Sequence, residues 1–156
     1  NLDTVLQNVK EDYEILIVEK QAIIMSEPLP MVKGNKVQLF QLMANLLSNA
    51  LKFSRHAPVI LIQYRLKKIQ DLGNMHLSPY TAFHEITIRD NGIGFEQEYS
   101  DQIFVIFQRL HHQNDFPGMG LGLALCKKIV DSHHGHIKVS STPGEGSEFT
   151  IYLPAF

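Results

Sequence analysis

The chain has 156 residues, 44% hydrophobic and 19% charged, a composition that supports one packed core and excludes a disordered segment. Fourteen Lys and Arg against sixteen Asp and Glu leave a formal charge of -2, without the basic excess that marks a nucleic-acid binder. One cysteine, Cys126, excludes an internal disulfide framework and a multi-cysteine zinc site, and apolar runs such as Val59 to Ile62 fall far short of the roughly 20 residues that span a bilayer.

The sequence starts at Asn1 without Met or a signal sequence, which reads as a piece excised from a longer protein. Over residues 2–20, Leu2, Val5, Leu6, Val9, Tyr13, Leu16 and Ile17 recur at helical spacing and predict one helix. Ala22 to Met25 is a short apolar run closed by Pro28 and Pro30, a strand signal. Asn35 is placed to cap a long helix whose stripe is Leu39, Leu42, Met43, Leu46, Ala50 and Leu51. After Pro58, VILIQYRL alternates as a strand with Ile60, Ile62, Tyr64 and Leu66 on one face.

Residues 70–80 carry the Gly, Asn, Ser and Pro of a hairpin loop, and a second strand runs from about Ala82 to Arg89. Its parity puts Asp90 on the side of Ile86 and Ile88, an expensive place for an unpaired carboxylate. Residues 91–119 lack a long regular pattern. A helix from about Gly120 to His134 follows, with Leu121, Leu125, Ile129 and Val130 inward and Gly135 as its C-cap. HIKVS and SEFTIYL then form strands around the turn TPGEGS. Helices alternating with several strands predict an α/β fold, a two-layer α/β sandwich in one domain.

Three stretches carry chemistry. In NLLSNALKFS, Asn45, Asn49, Lys52 and Phe53 share a helix face. Two amide oxygens suit a hard cation such as Mg2+, and a lysine suits phosphate; a plain solvated face would look the same. In DNGIGF, an inward Asp90 followed by Gly92 and Gly94 sets a fixed acceptor beside backbone that a flat ligand can approach. The alternative is an Asp-Asn-Gly turn of structural use. In GMGLGLALCKKIV, Gly118, Gly120 and Gly122 lead into a helix start that favours phosphate, although the run matches neither common nucleotide-loop pattern. GEGS at 144–147 reads as a hairpin turn.

Taken in order, these stretches resemble the ATP-binding catalytic domain of sensor histidine kinases, within the larger group shared with gyrase, MutL and heat-shock chaperone ATPases. NLLSNALKFS matches the N box of that family, DNGIGF its G1 box, IFVIFQRL its F box and GMGLGLALCKKIV its G2 box. PGEGSEFTIYLP matches the closing strands, so the resemblance covers about Asp3 to Pro154. The resemblance implies a mixed sheet packed on helices. It also implies that Asn49 holds Mg2+ with Asn45 in support, that Lys52 and Arg109 reach phosphate, and that Phe53 packs on adenine. Asp90 would accept from the adenine amino group, and Gly92 and Gly94 would line the base pocket. Residues from Phe95 to Pro117 would form a lid carrying Phe104 and Phe107. Gly118, Gly120, Leu121 and Gly122 would follow the triphosphate.

Two of the boxes depart from the family pattern. Met119 replaces a small hydroxyl residue, and Val105 and Ile106 stand where the F box has an acidic residue and proline. Asn45 also stands where the hydrolysing gyrase-like enzymes carry a Glu base, and an amide cannot take a proton from water. Slow hydrolysis and transfer to a separate acceptor is the expected chemistry.

The implied function is ATP:protein-histidine phosphotransfer to a dimerisation domain upstream of this chain, then to a response regulator. Residues 1–20 would be the connecting or first helix. The fragment is expected to be monomeric, its parent homodimeric and cytoplasmic or membrane-anchored. The alternatives are a non-catalytic nucleotide-dependent interaction module and a serine-directed kinase of the same fold. His84 in its alternating strand, the pair His111 and His112, and His133, His134 and His136 read as structural or solvated residues, and Cys126 as a packed small residue.

Overall fold

The structure, a computed structural model, describes residues 1–72, 82–105 and 122–156. Asn1 caps the first helix, α1 (Leu2–Asp12), its side chain accepting from the Asp3 and Thr4 amides at 2.8 and 3.4 Å. The single helix predicted over residues 2–20 is two: α1 stops at Tyr13, and α2 (Glu14–Glu19) follows it. The break at Tyr13, with φ -103 and ψ 12, turns Leu16 and Ile17 onto the core and leaves Ile15 and Val18 exposed. Strand β1 (Ile23–Ser26) follows one residue later than the apolar run suggested.

Helix α3 (Lys36–Lys52) starts where the sequence placed it, with the Asn35 side chain accepting from the Val37 and Gln38 amides at 2.9 and 3.2 Å. It buries Leu39, Leu42, Met43, Leu46, Leu47, Ala50 and Leu51. Each leucine taken from water in this way contributes roughly 1.5–3 kcal/mol. β2 (Val59–Lys68), β3 (Ala82–Asp90), α4 (Gly122–Ser132), β4 (His136–Thr142) and β5 (Gly146–Pro154) complete the described elements, with 3-10 turns at Ile69–Leu72, Gln97–Tyr99 and Gln102–Phe104. The loop expected at 70–80 and the start of the helix at Gly120 lie mostly outside the described residues.

The sheet is five-stranded in the order β1-β2-β3-β5-β4, with β1 parallel to β2 and the other pairs antiparallel. This is the mixed sheet packed on helices that the family resemblance implied. Two rows of inward side chains cross it: Ile62, Ile88, Phe149 and Val139, then Tyr64, Ile86, Ile151 and Ile137. Both rows belong to the apolar core that also contains the buried faces of α1, α3 and α4.

Leu66 shares the parity of Ile60 and Ile62 but is 61% exposed. The pairing of β1 ends at Ser26 with Ile62, and the Glu27 carboxylate accepts from the Tyr64 amide at 3.0 Å, so Leu66 lies on a stretch of β2 beyond both. The end of α4 also differs from expectation, since His134 and not Gly135 takes the left-handed conformation, at φ 56. The Gly135 amide then returns to the Val130 carbonyl at 2.9 Å and closes the helix.

Candidate functional site

The inner face of the sheet does not end on an apolar row. Its last row is Ile60, Asp90, Ser147 and Ser141, and three of these four are polar. Asp90 is 9% exposed, on the side its parity required. Its Oδ1 accepts from the Gly92 amide at 2.8 Å and the Ser147 amide at 3.3 Å. Oδ2 receives no hydrogen bond among the described residues, so the carboxylate keeps one acceptor in hand. Burial pushes the Asp90 pKa above the ordinary carboxylate value, against the two amides that pull it down.

The loop after Asp90 is stitched on two sides. Asn91 accepts from the Val59 amide at 2.8 Å and donates to the Ala57 carbonyl at 3.3 Å, tying the loop to the segment that follows α3. The Ile93 amide donates to the Phe53 carbonyl at 2.8 Å. A Cβ on Gly92 would lie 2.5 Å from that same carbonyl, so only glycine lets the loop seat against the end of α3. The structure thereby brings Asp90, Gly92 and Phe53 together.

On the other side, the loop rests on the β4–β5 hairpin. Gly144 donates to the Ile93 carbonyl at 2.7 Å, and the Phe95 amide donates to Ser141 Oγ at 2.9 Å. Ser141 Oγ lies 2.9 Å from Ser147 Oγ, and Gln97 holds both the Ser141 amide and the Val139 carbonyl. The turn GEGS is therefore a hairpin turn and also the floor under Asp90. Gly146 sits at φ 110, where a Cβ would lie 2.0 Å from the Asp90 carbonyl. Gly146→Ala is expected to cost more than about 3 kcal/mol, combining backbone strain with displacement of β3. A urea unfolding midpoint shows this directly, and a loss under about 1 kcal/mol would contradict the close packing.

The remaining candidates fall in two groups. Asn45 and Asn49 are half-buried on α3, and Lys52 is its exposed last residue. Asn45 Nδ2 donates to the Gly122 carbonyl at 3.4 Å, joining α3 to the first turn of α4. The Asn49 carboxamide has no hydrogen-bond partner among the described residues. An uncharged amide oxygen such as that of Asn49 is a ligand that Mg2+ accepts, so this side chain fits the metal implied by the resemblance. Gly94 is buried at φ 60 on the stitched loop. Phe104 stands edge-on to Phe149 at 6.5 Å, packed on the core. Phe107, Arg109, Gly118, Gly120 and Leu121 lie outside the described residues, as does most of the lid expected over residues 95–117.

Sequence reasoning missed Asn91, Ser141 and Ser147 as supports of this site. The signal was present: Val139 to Ser141 and Phe149 to Ser147 continue the inward parity of their strands, as Asp90 continues that of Ile86 and Ile88. Of the histidines singled out, His111 and His112 lie outside the described residues, and two others find structural partners. His84 Nδ1 meets the Tyr64 hydroxyl at 3.1 Å, and His133 accepts from the Asn35 amide at 3.1 Å.

Comparison with known proteins adds the following. The sequence model of the histidine kinase-, DNA gyrase B-, and HSP90-like ATPases matches residues 34–156. Cyanobacterial phytochrome A of a Nostoc species is 43% identical over 154 residues, covering 98% of this chain and 18% of the relative. The sensor histidine kinase RcsC of Escherichia coli is 30% identical over 158 residues, covering 97% of this chain and 15% of the relative. The chain thus spans less than a fifth of either relative. The nucleotide-free catalytic domain of histidine kinase ThkA superposes with a TM-score of 0.75 at 22% identity, covering 99% of this chain and 94% of that one. Full-length ShkA in complex with AMPPNP gives a TM-score of 0.75 at 24% identity, covering 99% of this chain and 30% of that one. At these identities, the two structures speak for the fold.

Proposed function

Since the chain belongs to the family of histidine kinase-, DNA gyrase B-, and HSP90-like ATPases, we propose that it is the ATP-binding catalytic domain of a sensor histidine kinase, passing the γ-phosphoryl group to a histidine on a dimerisation domain of its parent protein. The observation that carries this proposal is Asp90, a buried carboxylate with Oδ1 held by two backbone amides and Oδ2 open to a donor. An adenine amino group is such a donor, and the glycine backbone beside the carboxylate admits a flat base.

In this proposal Asp90 selects and orients the base, Phe53 packs on it, and Gly92 and Gly94 keep the wall of the pocket thin. Asn49 would hold Mg2+, which when bound neutralises phosphate charge. Lys52, exposed at the end of α3, supplies a flexible positive charge toward the same phosphates. The N-terminus of α4 offers backbone amides and the positive end of its dipole. Phosphoryl transfer asks little more of a protein than such positioning and neutralisation. Asn45 withholds a base from water, which favours transfer over hydrolysis. Arg109 and the glycines at 118, 120 and 122 would complete the phosphate contacts, with Phe104, Phe107 and Leu121 beside them. The parent would act as a homodimer that serves a response regulator. Its setting would be the cytoplasm; among the described residues, no helix is long and apolar enough to cross a membrane.

The raised pKa of Asp90 gives a pH dependence with a definite sign. The folded chain keeps this proton where the unfolded chain has lost it, so stability falls as pH rises from the ordinary carboxylate value through the raised one. A base donating to Oδ2 favours the ionised form. Nucleotide affinity is therefore expected to be full above the folded pKa and to weaken as pH falls through it, and an affinity independent of pH across that range would contradict the role of Asp90.

The direct test is phosphotransfer from radiolabelled ATP to a separately supplied helical domain bearing an acceptor histidine. Acid-labile label on that domain is the expected result. Acid-stable label would indicate a hydroxyl acceptor, and binding without transfer would indicate a nucleotide-dependent interaction module.

A further inference from the structure

We infer that Asn45 is a positioning residue, which acts by holding the first turn of α4 in place and not as a ligand of the metal; this rests on the nucleotide-binding proposal above and refines it. In sequence, Asn45 and Asn49 look alike, one helical turn apart on the same face of α3. The structure separates them. Asn49 has no hydrogen-bond partner among the described residues, whereas Asn45 is engaged by α4.

The contact is with the Gly122 carbonyl, to which Asn45 Nδ2 donates at 3.4 Å. One turn further along α4, the buried Cys126 thiol donates to the Leu42 carbonyl on α3 at 3.9 Å, a second polar contact between the two helices. Burial pushes that thiol up to about 12, so it remains a neutral donor through the physiological range. Asn45, Gly122, Cys126 and Leu42 together form a polar seam within the apolar contact between α3 and α4.

The seam has a geometric consequence. In a helix, the Gly122 carbonyl already accepts the Cys126 amide, and the donor from Asn45 fixes that peptide relative to α3. The first amides of α4 have no intrahelical acceptors, and the setting of this turn decides where they point. Through Gly122, Asn45 aligns those amides with the face of α3 that carries Asn49 and Lys52.

The test compares the wild-type chain with Asn45→Ala and Asn45→Asp, the second keeping oxygen atoms for a metal while removing the N–H donor. Hydrogen exchange of the amides from Gly122 to Cys126 is measured without nucleotide, and calorimetry then follows a non-hydrolysable ATP analogue over a series of Mg2+ concentrations, with adenosine as control. Both variants are expected to exchange faster in that turn. Asn45→Ala should bind the analogue about tenfold more weakly at saturating Mg2+, with adenosine affinity and the Mg2+ half-saturation point within about twofold of wild type.

Unchanged exchange in α4, or a several-fold rise in the Mg2+ half-saturation point of Asn45→Ala, would overturn the inference. Asn45→Asp carries the exchange measurement alone should Asn45→Ala not fold. A wild-type chain that binds no analogue would count against the nucleotide-binding proposal, and the exchange measurement would still decide whether Asn45 holds α4.

Discussion

Asp90→Asn is expected to abolish measurable ATP binding while leaving the fold intact. The carboxamide still offers an oxygen to the Gly92 and Ser147 amides, so the stitched loop keeps both of its hydrogen bonds. What changes is the atom at the position of Oδ2, which becomes an N–H donor facing the amino donor of the base. Losing a charge-assisted bond costs about 1.5–3 kcal/mol, and leaving a buried donor opposed costs about 1–3 more. Together these correspond to roughly two to four decades in affinity. The same substitution removes a carboxylate whose ionisation burial disfavours, so the variant should melt no lower than wild type at neutral pH. Wild-type affinity in a folded Asp90→Asn protein would remove Asp90 from the base pocket.

Asn49→Ala is expected to have a large effect of the opposite type, sparing the base and impairing Mg2+-dependent transfer. The side chain is half-buried, has no hydrogen-bond partner among the described residues, and stands on a helix that alanine favours. Its removal should change stability by no more than about 0.5 kcal/mol. A bound metal supplies several kcal/mol of charge stabilisation, so losing its main ligand should slow transfer by about 100-fold or more. Nucleotide binding without Mg2+ should be nearly unchanged. A fully active Asn49→Ala protein would take the metal away from this residue.

These two residues also show what could be read from the sequence. Asp90 was legible because a strand alternates strictly, and a carboxylate in phase with Ile86 and Ile88 has to face the core. Asn49 and Lys52 were legible as neighbours because a helix repeats. The cap at Asn35, the apolar stripe of α3 and the two-layer α/β architecture followed from the same short-range rules, and the mixed sheet from the family resemblance. Where packing between distant segments decides, those rules fall short. The helix predicted over residues 2–20 breaks at Tyr13 because its second half must turn Leu16 and Ile17 onto a core built by later elements. Leu66 is in phase with buried neighbours but lies beyond the end of β1.

The support of the site was hidden for the same reason. Ser141 and Ser147 are 44 or more residues from the loop they hold, and only the register of β5 against β3 and β4 brings them to Asp90. Gly146 looked like an ordinary turn glycine, although its lack of a side chain is demanded by the Asp90 carbonyl across the sheet. Asn45 and Asn49 were indistinguishable in sequence because their difference lies in Gly122, across the seam between α3 and α4.

The central claim, that this row of Asp90 and its supports forms an adenine-nucleotide pocket, is tested most directly by calorimetric titration of the chain with a non-hydrolysable ATP analogue, with and without Mg2+. Saturable binding at one site, strengthened by Mg2+, is the predicted result. A folded chain that takes up no analogue under either condition would contradict it.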